Sequence, residues 1–232
     1  MLAISRSKAI ALLGTSVLLA ACSDGASKLA GPVPESDLAM SAGAYHQSAM
    51  VNWHAQQLGF GRSGVVAGAS ATLVRNATGI SFRLTTNSLT PGNAYTLWLV
   101  VVNHPEACAA TPCSASDLIL NDAADAQVLF AAGHVAGGSG QGTFAGSVKE
   151  GPLSGWLADG SLQNSLGAEI HLVINDHGPM IPEFMPNMIH TYRGGCADSS
   201  PFPAIFPATA LADGVVGPNT CRLYQAAVFL AP

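Results

Sequence analysis

Between Ala168 and Pro179 the chain reads AEIHLVINDHGP, an apolar segment with a carboxylate and two imidazoles set into it. Ile170, Leu172 and Ile174 recur every second residue, and in an extended strand that period turns all three toward one face. Glu169, His171, Val173 and Asn175 then share the opposite face. Neighbouring segments repeat the period. Ala71–Arg75 and Ile80–Thr85 flank Asn76-Ala77-Thr78-Gly79, a hairpin turn with Gly in the permissive place. Ala94–Asn103 (AYTLWLVVVN) is apolar on both faces near its end, which predicts a central strand. Val128–His134, Thr143–Val148, Met188–Tyr192 and Tyr224–Leu230 complete the expected strands, and Gly138-Ser139-Gly140-Gln141-Gly142 reads as a hairpin turn rather than a phosphate loop. Tyr45–Leu58 fits a helical face and an alternating strand equally well. Short strands with turn signals at this spacing predict an all-β fold, an antiparallel β-sandwich.

Composition agrees. Charged residues are 10% and hydrophobic ones 49% of 232 residues, with 25 Gly and 14 Pro, too apolar for disorder and too turn-rich for a helical bundle. Nine Lys and Arg form no basic stripe, so nucleic acid is not an expected partner.

The first residues carry an address. Arg6 and Lys8 make a positive n-region, Ala9–Leu19 is a short apolar run, and Leu19-Ala20-Ala21-Cys22 follows. The run is too short to span a bilayer, which needs roughly 20 apolar residues, and it suits a leader. The Leu-Ala-Ala-Cys tetrad resembles the lipobox of bacterial lipoproteins. That resemblance implies cleavage after residue 21, acylation of Cys22, and anchoring to the cell-envelope membrane. Ser23 after the Cys leans toward the outer membrane. Residues 22–44 are small, polar and Pro-broken, as a flexible tether would be, and residues 45–232 form the expected single domain. Loss of Arg6 and Lys8 leaves seven basic residues against fourteen acidic ones. Such a balance does not seek anionic headgroups, so the acyl chains supply membrane affinity.

Cys108, Cys113, Cys196 and Cys221 remain in an export context that permits oxidation. Cys108–Cys113 and Cys196–Cys221 are the favoured pairs. A tetrathiolate zinc site competes, but it expects two closely spaced Cys pairs, and only one is present. LTPGNAYTLWLVVVN resembles a strand-turn-strand of secreted CHRD-type domains. The region from Ala71 to Cys221 is similar to a group of uncharacterised exported bacterial proteins sharing Glu169-Ile170-His171, His177-Gly178-Pro179 and Gly194-Gly195-Cys196. Both resemblances imply an exported β-rich domain and no particular chemistry.

His171 and His177 lie six residues apart, roughly 20 Å along a straight strand, too far for one ion. If the segment Ile189-His190-Thr191 hairpins back on Ala168–Asn175, His190 faces His171 at the 4.5–5.5 Å Cβ spacing of opposed residues. Glu169 then adds a carboxylate and His177 a loop ligand, for a divalent metal such as zinc or copper. A one-residue register slip abolishes the pairing. The plainer reading puts Glu169 and His171 on a solvated strand face and packs His177 in a loop against a backbone carbonyl. No His-x-His strand pair or Gly-x-Ser-x-Gly elbow appears, and the sequence singles out no Ser-His-Asp order. Trp53, Trp98 and Trp156 suit a core or a ligand groove. The functional expectation is a noncatalytic module that binds a small ligand or an envelope partner. A metalloprotein using His171, His190 and Glu169 is the alternative, and a passive envelope spacer the third reading.

Overall fold

The computed structural model describes residues 43–154 and 160–232. The leader, Cys22, most of the tether and Trp156 lie outside the described residues. The described chain is an antiparallel β-sandwich. One sheet has the order β1 (Tyr45–Ala49), β3 (Ser70–Asn76), β4 (Gly79–Thr86), β7 (Gly142–Lys149). The other runs β2 (Asn52–Trp53), β11 (Arg222–Phe229), β10 (Glu169–Pro179), β5 (Asn93–Val102), β6 (Ala126–Val135). A short pair, β8 (Gly151–Leu153) and β9 (Gly160–Leu162), stands apart from both. Among the described residues no helix is long and apolar enough to cross a membrane.

Alternation builds the core between the sheets. Leu73, Phe82, Leu84 and Phe144 from the four-stranded sheet meet Leu97, Leu99, Ile170, Leu172 and Ile174 from the five-stranded one. Burying an aliphatic side chain of this size contributes about 1.5–3 kcal/mol. Strand β10 is held on both edges, with Leu172 opposite Leu99 of β5 and Ala227 of β11.

A second apolar layer explains why β5 is buried along its whole length. Trp98, Val100 and Val102 project from the outer face and pack with Cys113, Val128, Tyr192 and Leu223, against Phe202 and Phe206. Both disulfides, Cys108–Cys113 and Cys196–Cys221, form in the loops of this layer.

Two expected local elements differ. Gly138–Gly142 is not a hairpin turn, because β6 pairs with β5 while β7 pairs with β4, and the glycines carry the chain from one sheet to the other. A side chain on Gly140, whose φ is +66°, would also collide with the Leu89 carbonyl. The expected strand Met188–Tyr192 is instead a short helix, α2 of this chain after α1 (Ala115–Leu120), spanning Met185–Met188 and followed by turns. Pro182 and Pro186 remove ladder donors, and Ile189 and Thr191 bond back to Met185 and Asn187. Both edges of β10 are already taken, so no hairpin partner can add there.

Arg75 is the unusual core residue. Fully buried, it donates to Ser165 O at 3.1 Å, Ala168 O at 2.6 Å and Leu230 O at 3.4 Å, tying the four-stranded sheet to the start of β10 and the end of β11. Burial pulls the guanidinium down to about 10, so it remains charged at neutral pH. Arg75→Met keeps much of the volume and removes every donor. We expect a loss of about 2–4 kcal/mol, read as a lower urea midpoint with unchanged slope.

Candidate functional site

The outer face of β10 carries the residues that stand out in the sequence. It is not solvated. Glu169 is 2%, His171 7% and His177 0% exposed, because loops 103–125 and 180–221 lie over the face. A polar group taken from water needs a partner inside the fold, and each has one.

Glu169 accepts from the Cys113 amide at 2.8 Å through Oε1, and the same oxygen lies 2.6 Å from His171 Nε2. The amide can only donate and the carboxylate accepts, so Nε2 carries the proton shared with Oε1. The pair therefore pins the Cys108–Cys113 loop to the sheet. Asn175 donates to Tyr192 O at 2.8 Å and so fixes the next loop. Asp176 accepts through Oδ1 from Asn93 Nδ2 and Gly178 N, both at 2.9 Å, and burial raises its carboxyl against those bonds and the nearby Arg222 and Arg62.

His177 sits in a directional chain. Trp98 Nε1 donates to Thr96 Oγ1 at 2.8 Å, and Thr96 Oγ1 lies 2.9 Å from His177 Nε2. On the other side, Nδ1 is 2.9 Å from Gly194 O. A carbonyl only accepts, so the proton is on Nδ1, and Nε2 receives the Thr96 hydroxyl. Burial depresses His177 to about 4, the Gly194 bond opposing it weakly, so the ring is neutral at pH 7. The expected backbone-carbonyl contact of His177 is thus present, but on β10, which runs on to Pro179, rather than in a loop.

His190 does not face His171. Its ring stacks on Phe130 with centroids 5.5 Å apart, and its Nδ1 lies 2.9 Å from Pro186 O. His171 is instead flanked across the ladders by Val100 and Val228. The sequence-derived set is therefore split: Glu169 with His171, His177 alone under Gly194, and His190 over the β6 edge. What sequence reasoning missed is the neighbour of His177, the Cys196–Cys221 disulfide, with Cys196 Sγ 3.6 Å from Nδ1. The Gly194-Gly195-Cys196 pattern was the available signal, but it names no strand position.

Neutral buried His177 gives a signed prediction. Below pH 6.5 the unfolded ring gains a proton that the folded ring refuses until about pH 4. Its contribution is present at and above pH 6.5 and is lost as pH falls through that window, on the order of 3 kcal/mol in all. Asp176, raised by burial, works in the opposite sense, so the comparison is with a variant. His177→Gln should be less stable at pH 7, with a shallower fall in melting temperature between pH 6.5 and 4. For the other anchor, Glu169→Ala should cost about 3 kcal/mol and speed hydrogen exchange at the Cys113 amide.

No protein-family model matches this chain, and no curated protein or solved structure matches it.

Proposed function

We propose that this is an exported lipoprotein, anchored to the bacterial envelope through acylated Cys22, whose sandwich domain acts as a noncatalytic binding module. The observation that carries the reading is the inward use of the chemistry-bearing residues. Glu169, His171, Asp176 and His177 are buried and bonded within the fold, so they hold loops or, for Asp176, neighbouring strand residues rather than meet a substrate. Catalysis asks for the reverse, a titratable group within reach of a bound reactant.

The surface offers a receptor instead. A groove of about 650 Å³ runs beside β1 and the end of β11, lined by Tyr45, His46, Gln47, Met50, Pro112 and Leu230 among others. Among the described residues no Asp, Glu, Lys or Arg lines it, which favours a neutral ligand or an uncharged segment of a partner. Among the described residues β1 pairs only with β3, so its other backbone edge can take an arriving chain. It is also the first strand after the tether.

Two measurements test the reading. Intact mass of the mature protein should show a lipid-modified Cys22 and release from membranes in Cys22→Ala; an unmodified thiol at the mature N-terminus removes the anchor. A photo-crosslinking residue in place of Gln47 should trap a discrete adduct in intact cells, whereas one in place of exposed Arg83 should not. No adduct from any groove position sinks the binding module.

A further inference from the structure

We propose that His177, Cys196 and Cys221 form a zinc(II) site whenever the Cys196–Cys221 disulfide is open. The inference is independent of the anchor and of the groove. The three residues lie on different segments, β10, the Gly194-Gly195 turn and the approach to β11, and all are fully buried. Their donor atoms fall within 4.8 Å of one another.

Geometry carries the argument. Two ligands on one tetrahedral zinc, with Zn–S near 2.3 Å and Zn–N near 2.0–2.1 Å, stand about 3.6 Å apart. Cys196 Sγ and His177 Nδ1 are separated by 3.6 Å. Gly194 O, 2.9 Å from Nδ1 and 3.6 Å from Cys196 Sγ, offers an oxygen at the fourth corner. The ring is already oriented from behind. Once a metal takes Nδ1, the proton moves to Nε2 and is donated to Thr96 Oγ1, which Trp98 fixes in place. This is the outer-shell bond that metal-bound imidazoles use.

Charge and softness choose the ion. Two thiolates and a neutral imidazole around a dication sum to zero, so the site adds no net charge to a buried region. Thiolate and imidazole donors select zinc over calcium or magnesium. The steps balance. A dithiol reductant supplies two electrons and two protons and leaves as its own disulfide, while the Cys196–Cys221 bond breaks to two thiols. Zinc then displaces both thiol protons. Reoxidation by a disulfide oxidant passes it two electrons, which with two protons from water make it a dithiol, while the Cys196–Cys221 bond re-forms and zinc(II) leaves, so disulfide and metal are mutually exclusive closures of the same loop.

The test uses the mature chain, purified without a histidine tag, reduced anaerobically with a phosphine and titrated with zinc or cobalt(II) alone. The expected result is one ion per reduced chain and none per oxidised chain. Cobalt should show tetrahedral ligand-field bands with thiolate charge transfer. Zinc absorption fine structure should report two sulfur and two nitrogen or oxygen neighbours. Cys196→Ser and His177→Gln should weaken binding at least a hundredfold, and Cys108→Ser should leave it within threefold. Should either variant misfold, the ligand count on the reduced wild-type protein still decides. Absence of a stoichiometric ion after reduction, a coordination shell without the two-sulfur count, or undiminished binding by Cys196→Ser overturns the site.

Discussion

Strand β10 has no free face and no free edge, and the rest of the structure follows from that. Its two ladders are taken by β5 and β11, its inner face by the core, and its outer face by two long loops. A polar side chain in such a strand must be bonded internally or cost 1–3 kcal/mol as an unsatisfied group. Glu169, Asn175 and His177 hold loop backbone at Cys113 N, Tyr192 O and Gly194 O, and Asp176 bonds within the sheet to Asn93 and Gly178 N; only Asn175 Oδ1 of these groups lacks a partner among the described residues. Glu169, Asn175 and His177 are therefore fasteners for the loops above the strand, and Asp176 braces the end of the sheet.

Those loops need fastening because they own few ladder bonds. Around Tyr192 an aromatic cluster forms, with Trp98 at 5.3 Å and Phe202 at 5.1 Å between ring centroids. Covalent closure does the remainder. Joining residues 25 apart removes loop entropy from the unfolded chain, about 3–4 kcal/mol in the entropic account. Each disulfide ends beside a polar anchor: Cys113 beside Glu169, and Cys196 beside His177. Hydrogen bond and cross-link thus act on the same short stretch of chain, one locating it and the other limiting its escape.

This arrangement also separates scaffold from surface. The polar groups of β10 are bonded within the fold, whereas the groove beside β1 opens at the surface and, among the described residues, is lined by no Asp, Glu, Lys or Arg.

Strand existence was legible in the sequence because its signal is local. The period-two runs at Ala71–Arg75, Ala94–Asn103 and Ala168–Asn175 became β3, β5 and β10, and the double-sided apolar character of β5 announced a central strand. The four cysteines allowed three connectivities, and the structure holds the favoured one, Cys108–Cys113 with Cys196–Cys221. Partnership was legible only where a tight turn joins two strands, as at Asn76–Gly79 between β3 and β4. Whether Gly138–Gly142 closes a hairpin or crosses between sheets depends on which edges are vacant, and whether His190 reaches His171 depends on a β10 edge already filled by β11. The covering of the outer face, which turns Glu169 and His171 from surface groups into buried ones, is made by loops without periodicity. Alternation along one segment states which side chains share a face; only the packing of distant segments decides what that face meets.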